Sequence, residues 1–140
     1  MTGTSVTRRR QRGQALAEFA LAAPVLFLLL LGVIEGGRFI YHYESINNAA
    51  RAGIRYAVIH GPNNDPATPA DIRQAVADAA IGISVADDLV IPDPVYSGPN
   101  GSTNKRGSTV SLSVSFTYEP VVPLLPPITI SAEATGVVSN

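Results

Sequence analysis

Glu18 is the residue whose position most needs a chemical explanation. It is followed by Phe19 to Ile34, sixteen residues without a charge, and preceded by Arg8, Arg9, Arg10 and Arg12, four arginines in five positions leading into Gly13. A carboxylate at the centre of a membrane-crossing helix costs about 2.5–3.5 kcal/mol, and less near either edge. Two kinds of pairing would relieve that cost. Glu18 either snorkels to the cytoplasmic interface and pairs with Arg12, or finds a positive partner inside the membrane or a protein assembly. The arginines have a simpler role. Basic residues flanking an apolar run keep that flank in the cytoplasm, so Arg8, Arg9, Arg10 and Arg12 are read as membrane-orientation residues.

Other titratable groups offer less. His42 lies in Tyr41-His42-Tyr43 just beyond the apolar run, and His60 stands before Gly61-Pro62. They read as a headgroup-level polar residue and a helix C-terminal cation. Asn63-Asn64-Asp65 and Asp87-Asp88 lack the alternating ligand spacing of a calcium loop. The chain has no cysteine, which excludes disulfides and thiolate metal sites. No nucleophile elbow or glycine-rich phosphate cradle is present. These features point away from an enzyme, and no cofactor, metal or small-molecule substrate is expected. From Gly36 onward there are six basic and nine acidic residues, so the folded part has no basic face for nucleic acid.

These residues must be positioned by a long helix. Sixteen helical residues rise about 24 Å against a hydrocarbon core of about 30 Å, so a full span also draws in Ala15–Glu18 or the Gly36-Gly37-Arg38 end. The helical pattern continues past the span, with Phe39, Tyr43, Ile46, Ala50, Ile54 and Ala57 on one stripe. It predicts one helix from about Gln14 to Ile59, kinked at Pro24, ended by His60-Gly61-Pro62, and preceded by a polar, disordered Met1–Thr7. No small-residue cleavage pattern follows the apolar run, which disfavours ordinary signal cleavage.

Thr68-Pro69-Ala70-Asp71 predicts a second helix start, with Thr68 as N-cap and Pro69 first in the helix. Ile72, Ala75, Val76, Ala79 and Ile83 form its apolar face. Leu89–Ile91 and Val95-Tyr96 are short strand candidates, and Ser97–Ser108 is a loop. In 109–118, Val110, Leu112, Val114, Phe116 and Tyr118 alternate with Ser and Thr; 128–138 alternates likewise. The Pro120–Pro127 segment is a loop whose apolar residues either plug the sheet core or touch another subunit. The expected fold is α+β: a long transmembrane helix, a short helix and a small antiparallel sheet on its outer half. The expected division is a basic leader over 1–13, the membrane half of the helix over 14–37, and an extracytoplasmic domain over 38–140. That domain holds helix 38–60, helix 69–83 and strands 109–118 and 128–138.

The spacing Gly13-Gln14-Ala15-Leu16-Ala17-Glu18 resembles the type IV prepilin signature: a basic leader, glycine, four residues, glutamate, then an apolar helix. With Phe19-Ala20-Leu21, Pro24, Glu35-Gly36-Gly37-Arg38 and the segment Asn47–Ala57, the chain is similar to TadE-like minor pilins, the pseudopilins of tight-adherence (Flp-type) pilus systems. Phe19 stands where related signatures often carry tyrosine. The resemblance implies a pilin-like fold and cleavage between Gly13 and Gln14 by a membrane aspartyl prepilin peptidase. It also implies recognition and assembly roles for Glu18 and Phe19, with Glu18 meeting the freed amine of an adjacent subunit. Partners would be the lipid bilayer, the peptidase, other pilin or pseudopilin subunits and the assembly platform. The location would be the bacterial cytoplasmic membrane, or a pilus used for surface attachment, with the N-terminus inside and the C-terminal domain outside. Two other readings stay open: an unprocessed, single-pass anchored extracellular binding module, and a secreted enzyme released by signal cleavage.

Overall fold

The computed structural model describes residues 4–62, 65–83, 89–98, 103–122 and 125–139, with side chains from residue 13 onward. Helix α1 spans Thr4–Ile59 and α2 spans Pro69–Ala79; strands β1 to β4 are Leu89–Val90, Val95–Ser97, Thr109–Tyr118 and Ile128–Val137. The layout is α+β, with a long helix, a short helix and a small antiparallel sheet, as the sequence predicts. The chain divides into two compact units, Met1–Gly37 and Arg38–Asn140.

Helix α1 begins earlier than expected, at Thr4 rather than near Gln14. Arginine and glutamine are good helix formers, and a glycine inside a helix costs only about 1 kcal/mol, so Gly13 does not stop it. Pro24 lies within the same helix. Helix α1 ends at Ile59, where the sequence places the punctuation His60-Gly61-Pro62. Between Gly13 and Ile34 the apolar side chains are exposed apart from half-buried Ala23.

In the Arg38–Asn140 unit the core gathers Ile46, Ala49, Ala50, Ile54 and Ala57 of α1, Ile72 and Val76 of α2, and the inward residues of β3. Tyr43, expected on the buried stripe, is exposed, and buried Ala49 and Gly53 lie there instead. Gly53 is fixed by contact. A Cβ there would sit 2.5 Å from Val76 Cγ2 and 2.8 Å from Leu112 Cδ2, far inside van der Waals distance. Gly136 has the same role on β4, against Val58 and Ile54.

Strand β3 is central. It pairs antiparallel with β4 over its whole length, from Thr109 opposite Val137 to Tyr118 opposite Ile128. Its other edge is shared by β1, at Phe116 and Ser115, and β2, at Ser111 to Thr109. Pro92 and Pro94 separate the two short strands because neither can donate to a ladder. The predicted alternation of β3 is observed, with Val110, Leu112, Val114, Phe116 and Tyr118 all buried. On β4, Ile130 and Ala132 are buried but Ile128 is exposed.

Helix α2 starts with the predicted cap. The Asp71 N–H donates to Thr68 Oγ1 at 3.3 Å, and the Thr68 N–H donates to Asp71 Oδ2 at 3.0 Å. It ends at Ala79, before the expected residue 83. There Tyr41 and Ser45 hydroxyls donate to the Ile81 carbonyl at 3.3 and 2.8 Å, and Gly82 turns the chain at φ 77°. Ala80, at ψ 66°, and Gly82, at positive φ, have left the helical region, and the two hydroxyls satisfy a carbonyl that no longer has a helical donor. In the segment after β3, Val121 and Leu125 are exposed, which removes them from the expected plug; Pro123 and Leu124 lie outside the described residues. So do Asn63, Asn64, Asp87, Asp88 and residues 99–102 of the expected loop.

Candidate functional site

The Glu18 region is presented on a bare helix. Gln14 Nε2 donates to Glu18 Oε1 at 3.3 Å, the contact expected of residues one turn apart. Glu18 and Phe19 are both exposed, and Gly13 has no heavy atom within 4 Å of where a Cβ would be. Arg12 is six residues from Glu18, about 120° away around the helix, so helix geometry gives Glu18 Gln14 as its neighbour. The side chains of Arg8, Arg9, Arg10 and Arg12 lie outside the described residues, although their backbone is helical.

The surrounding surface has the composition of a membrane span. The helix over Gly13–Ile59 contains an 18-residue window of mean hydropathy 2.4, none of it buried within the chain. By length and composition it can cross a bilayer. Exposed leucine, phenylalanine and valine on every side of a helix have no favourable solvent except lipid or other helices. Glu18 is the one charge in that surface between Gly13 and Ile34.

The other candidates resolve into packing. His42 is half-buried, with its ring 5.5 Å from Phe116 and 5.4 Å from Tyr118. Burial first, and Arg38 one turn earlier second, lower its pKa below 6.5. It is therefore part of the helix–sheet contact, which the sequence did not suggest. Phe39 meets Tyr118 edge-on at 5.7 Å, and the Arg38 guanidinium lies 5.6 Å from the centre of the same ring. The Tyr-His-Tyr run was the only local hint of this cluster. His60 stacks on Tyr56 at 4.0 Å, and its carbonyl accepts from the Ala67 N–H and Asn104 Nδ2. It ties the end of α1 to two later loops. Among the described residues no group of three or more His, Cys, Asp and Glu could hold a metal ion. A groove between α2 and β1 has one charged residue in its lining, Arg73, and that side chain pairs with Asp93.

No curated protein and no solved structure matches the chain. A family model described as TadE-like protein matches residues 13–55, beginning at Gly13 and covering Glu18, the apolar run and the first turns of the Arg38–Asn140 unit. Over that segment the chain is similar to TadE-like proteins.

Proposed function

We propose that the chain is a minor pilin of a tight-adherence pilus, held in the cytoplasmic membrane by one span before it joins the assembly. The observation that carries this reading is the match over residues 13–55 on a helix whose exposed apolar stretch, 13–34, carries a single acid, Glu18. A prepilin peptidase would cut between Gly13 and Gln14, removing Arg8, Arg9, Arg10 and Arg12 after they have set the orientation. The new amine on Gln14 would then pair with Glu18 of a neighbouring subunit. Separating such a pair in an apolar bundle strands two charges, so the pair favours one axial register. The peptidase, other pilins and the assembly platform are the partners, with the domain over 38–140 outside the membrane.

Intact-mass measurement of the protein purified from membranes tests the reading. In cells that hold the peptidase, the expected mature chain begins at Gln14. A chain that keeps Arg8 to Gly13 under those conditions removes the processing step and favours a permanently anchored binding module.

A further inference from the structure

The Arg38–Asn140 unit has a concentration of exposed apolar side chains at one end. Ile40, Tyr41, Tyr43, Ile81, Val121 and Leu125 are each at least 46% exposed. They come from three separate segments: the start of the unit's helix, the turn after α2, and the connection that follows β3. Contacts bring these segments together. Tyr41 and Ser45 hydroxyls both donate to the Ile81 carbonyl. Phe39 and His42 pack on Tyr118, the last residue of β3, three positions before Val121.

The outward face of the sheet is different in character. Ser111, Ser113, Ser115, Thr117, Thr129 and Ser131 present hydroxyls there, as a water-facing sheet surface should. The apolar end is also the end at which the chain enters the unit, since Arg38 is its first residue. Each headgroup layer is about 5–7 Å thick, and tyrosine is enriched at that depth. Tyr41 and Tyr43 lie within about 8 Å of Arg38 along the helix, so their side chains cluster at the unit's point of entry. Exposed Glu44 and Glu119 at the same end keep it from entering the acyl interior.

We infer that this end of the unit is a lipid-contact surface: Ile40, Tyr41, Tyr43, Ile81, Val121 and Leu125 rest in the headgroup layer of the membrane that holds the span. The inference rests on the membrane-anchored reading above and extends it from the helix to the folded unit. Its consequence is that leaving the membrane for an assembly strips lipid from the unit as well as from the apolar helix.

The chain has neither tryptophan nor cysteine, so single introduced probes report unambiguously. Full-length Leu28→Trp, Ile81→Trp, Val121→Trp and Val95→Trp variants are reconstituted in phosphatidylethanolamine–phosphatidylglycerol vesicles. These contain phosphatidylcholines brominated at acyl positions from close to the headgroup to near the chain end, so that both depths are reported. Ile81→Trp and Val121→Trp should be quenched at least about half as strongly as Leu28→Trp, with Val95→Trp nearly unquenched. Quenching at Leu28 with none at Ile81 and Val121, or equal quenching at Val95, overturns the inference alone. No quenching at Leu28 overturns the membrane reading and the inference with it. A nitroxide on Val121→Cys supplies an independent readout. Higher access to oxygen and lower access to a water-soluble nickel chelate than for the same label on Val95→Cys supports lipid contact. Protection from both, with broadening between labelled copies, assigns the surface to subunit contact and overturns the proposal.

Discussion

At the scale of single residues, Gly13 and Glu18 differ in what their loss should do. A side chain at Gly13 meets nothing, so Gly13→Val leaves the helix intact while adding bulk at the proposed scissile bond. The expected result is an unprocessed chain, seen by mass, with unchanged helicity by circular dichroism. Glu18→Gln keeps the size and the contact with Gln14 but removes the charge. Membrane insertion should persist while recovery in the pilus fraction falls about a hundredfold, for a buried ion pair whose disruption costs about 3 kcal/mol. Normal piliation in Glu18→Gln would rule out the pairing role. The roles proposed for these two residues rest on local spacing and so could be put forward from sequence alone. The role of His42 could not, because Phe116 and Tyr118 reach it only through the fold.

At the scale of elements, local signals placed the end of α1, the start of α2 and the strand alternation, but neither the start of α1 nor the end of α2. The Thr68–Asp71 cap is written in four adjacent residues, so the start of α2 was legible. Its end is a turn whose Ile81 carbonyl is held by Tyr41 and Ser45, some forty residues earlier, and was not. The α1 stripe shows the same division. Its apolar spacing marked a buried face, but that Gly53 has to be glycine follows only from the approach of Val76 and Leu112. Gly53→Ala should destabilise the protein by about 1–3 kcal/mol through overpacking, even though alanine is the better helix former. Chemical denaturation of the full chain in detergent would measure the loss. A Gly32→Ala control, where a Cβ meets nothing, should not show it.

At the scale of the whole molecule, the chain has no cysteine and so no cross-link, and the Arg38–Asn140 unit depends on its one core. The titrating group built into that core's edge is His42. Its Nδ1 is buried without a hydrogen-bond partner, Arg38 lies one turn away, and Tyr41, Phe116 and Tyr118 surround the ring. Protonation would put a second charge beside the guanidinium and a second N–H where the first nitrogen already lacks a partner. The folded-state pKa is therefore below 6.5, so the unfolded chain binds the proton more readily. The stabilisation is complete above 6.5 and declines as pH falls from there towards the folded pKa. Asp71 acts in a separate, more acidic window. Its hydrogen bonds with Thr68 depress its pKa, so its contribution is present above the ordinary carboxylate range and lost below it. Denaturation midpoints of the wild type and His42→Phe, compared at pH 7.5, 6.5 and 5.5 (values bracketing the ordinary histidine pKa of about 6.5), isolate the first effect. The wild type should lose stability relative to His42→Phe across that range, because the variant removes only this titration and keeps an aromatic ring against Phe116 and Tyr118. Parallel profiles would mean that His42 titrates alike in both states, and that its contact with the sheet contributes no pH dependence.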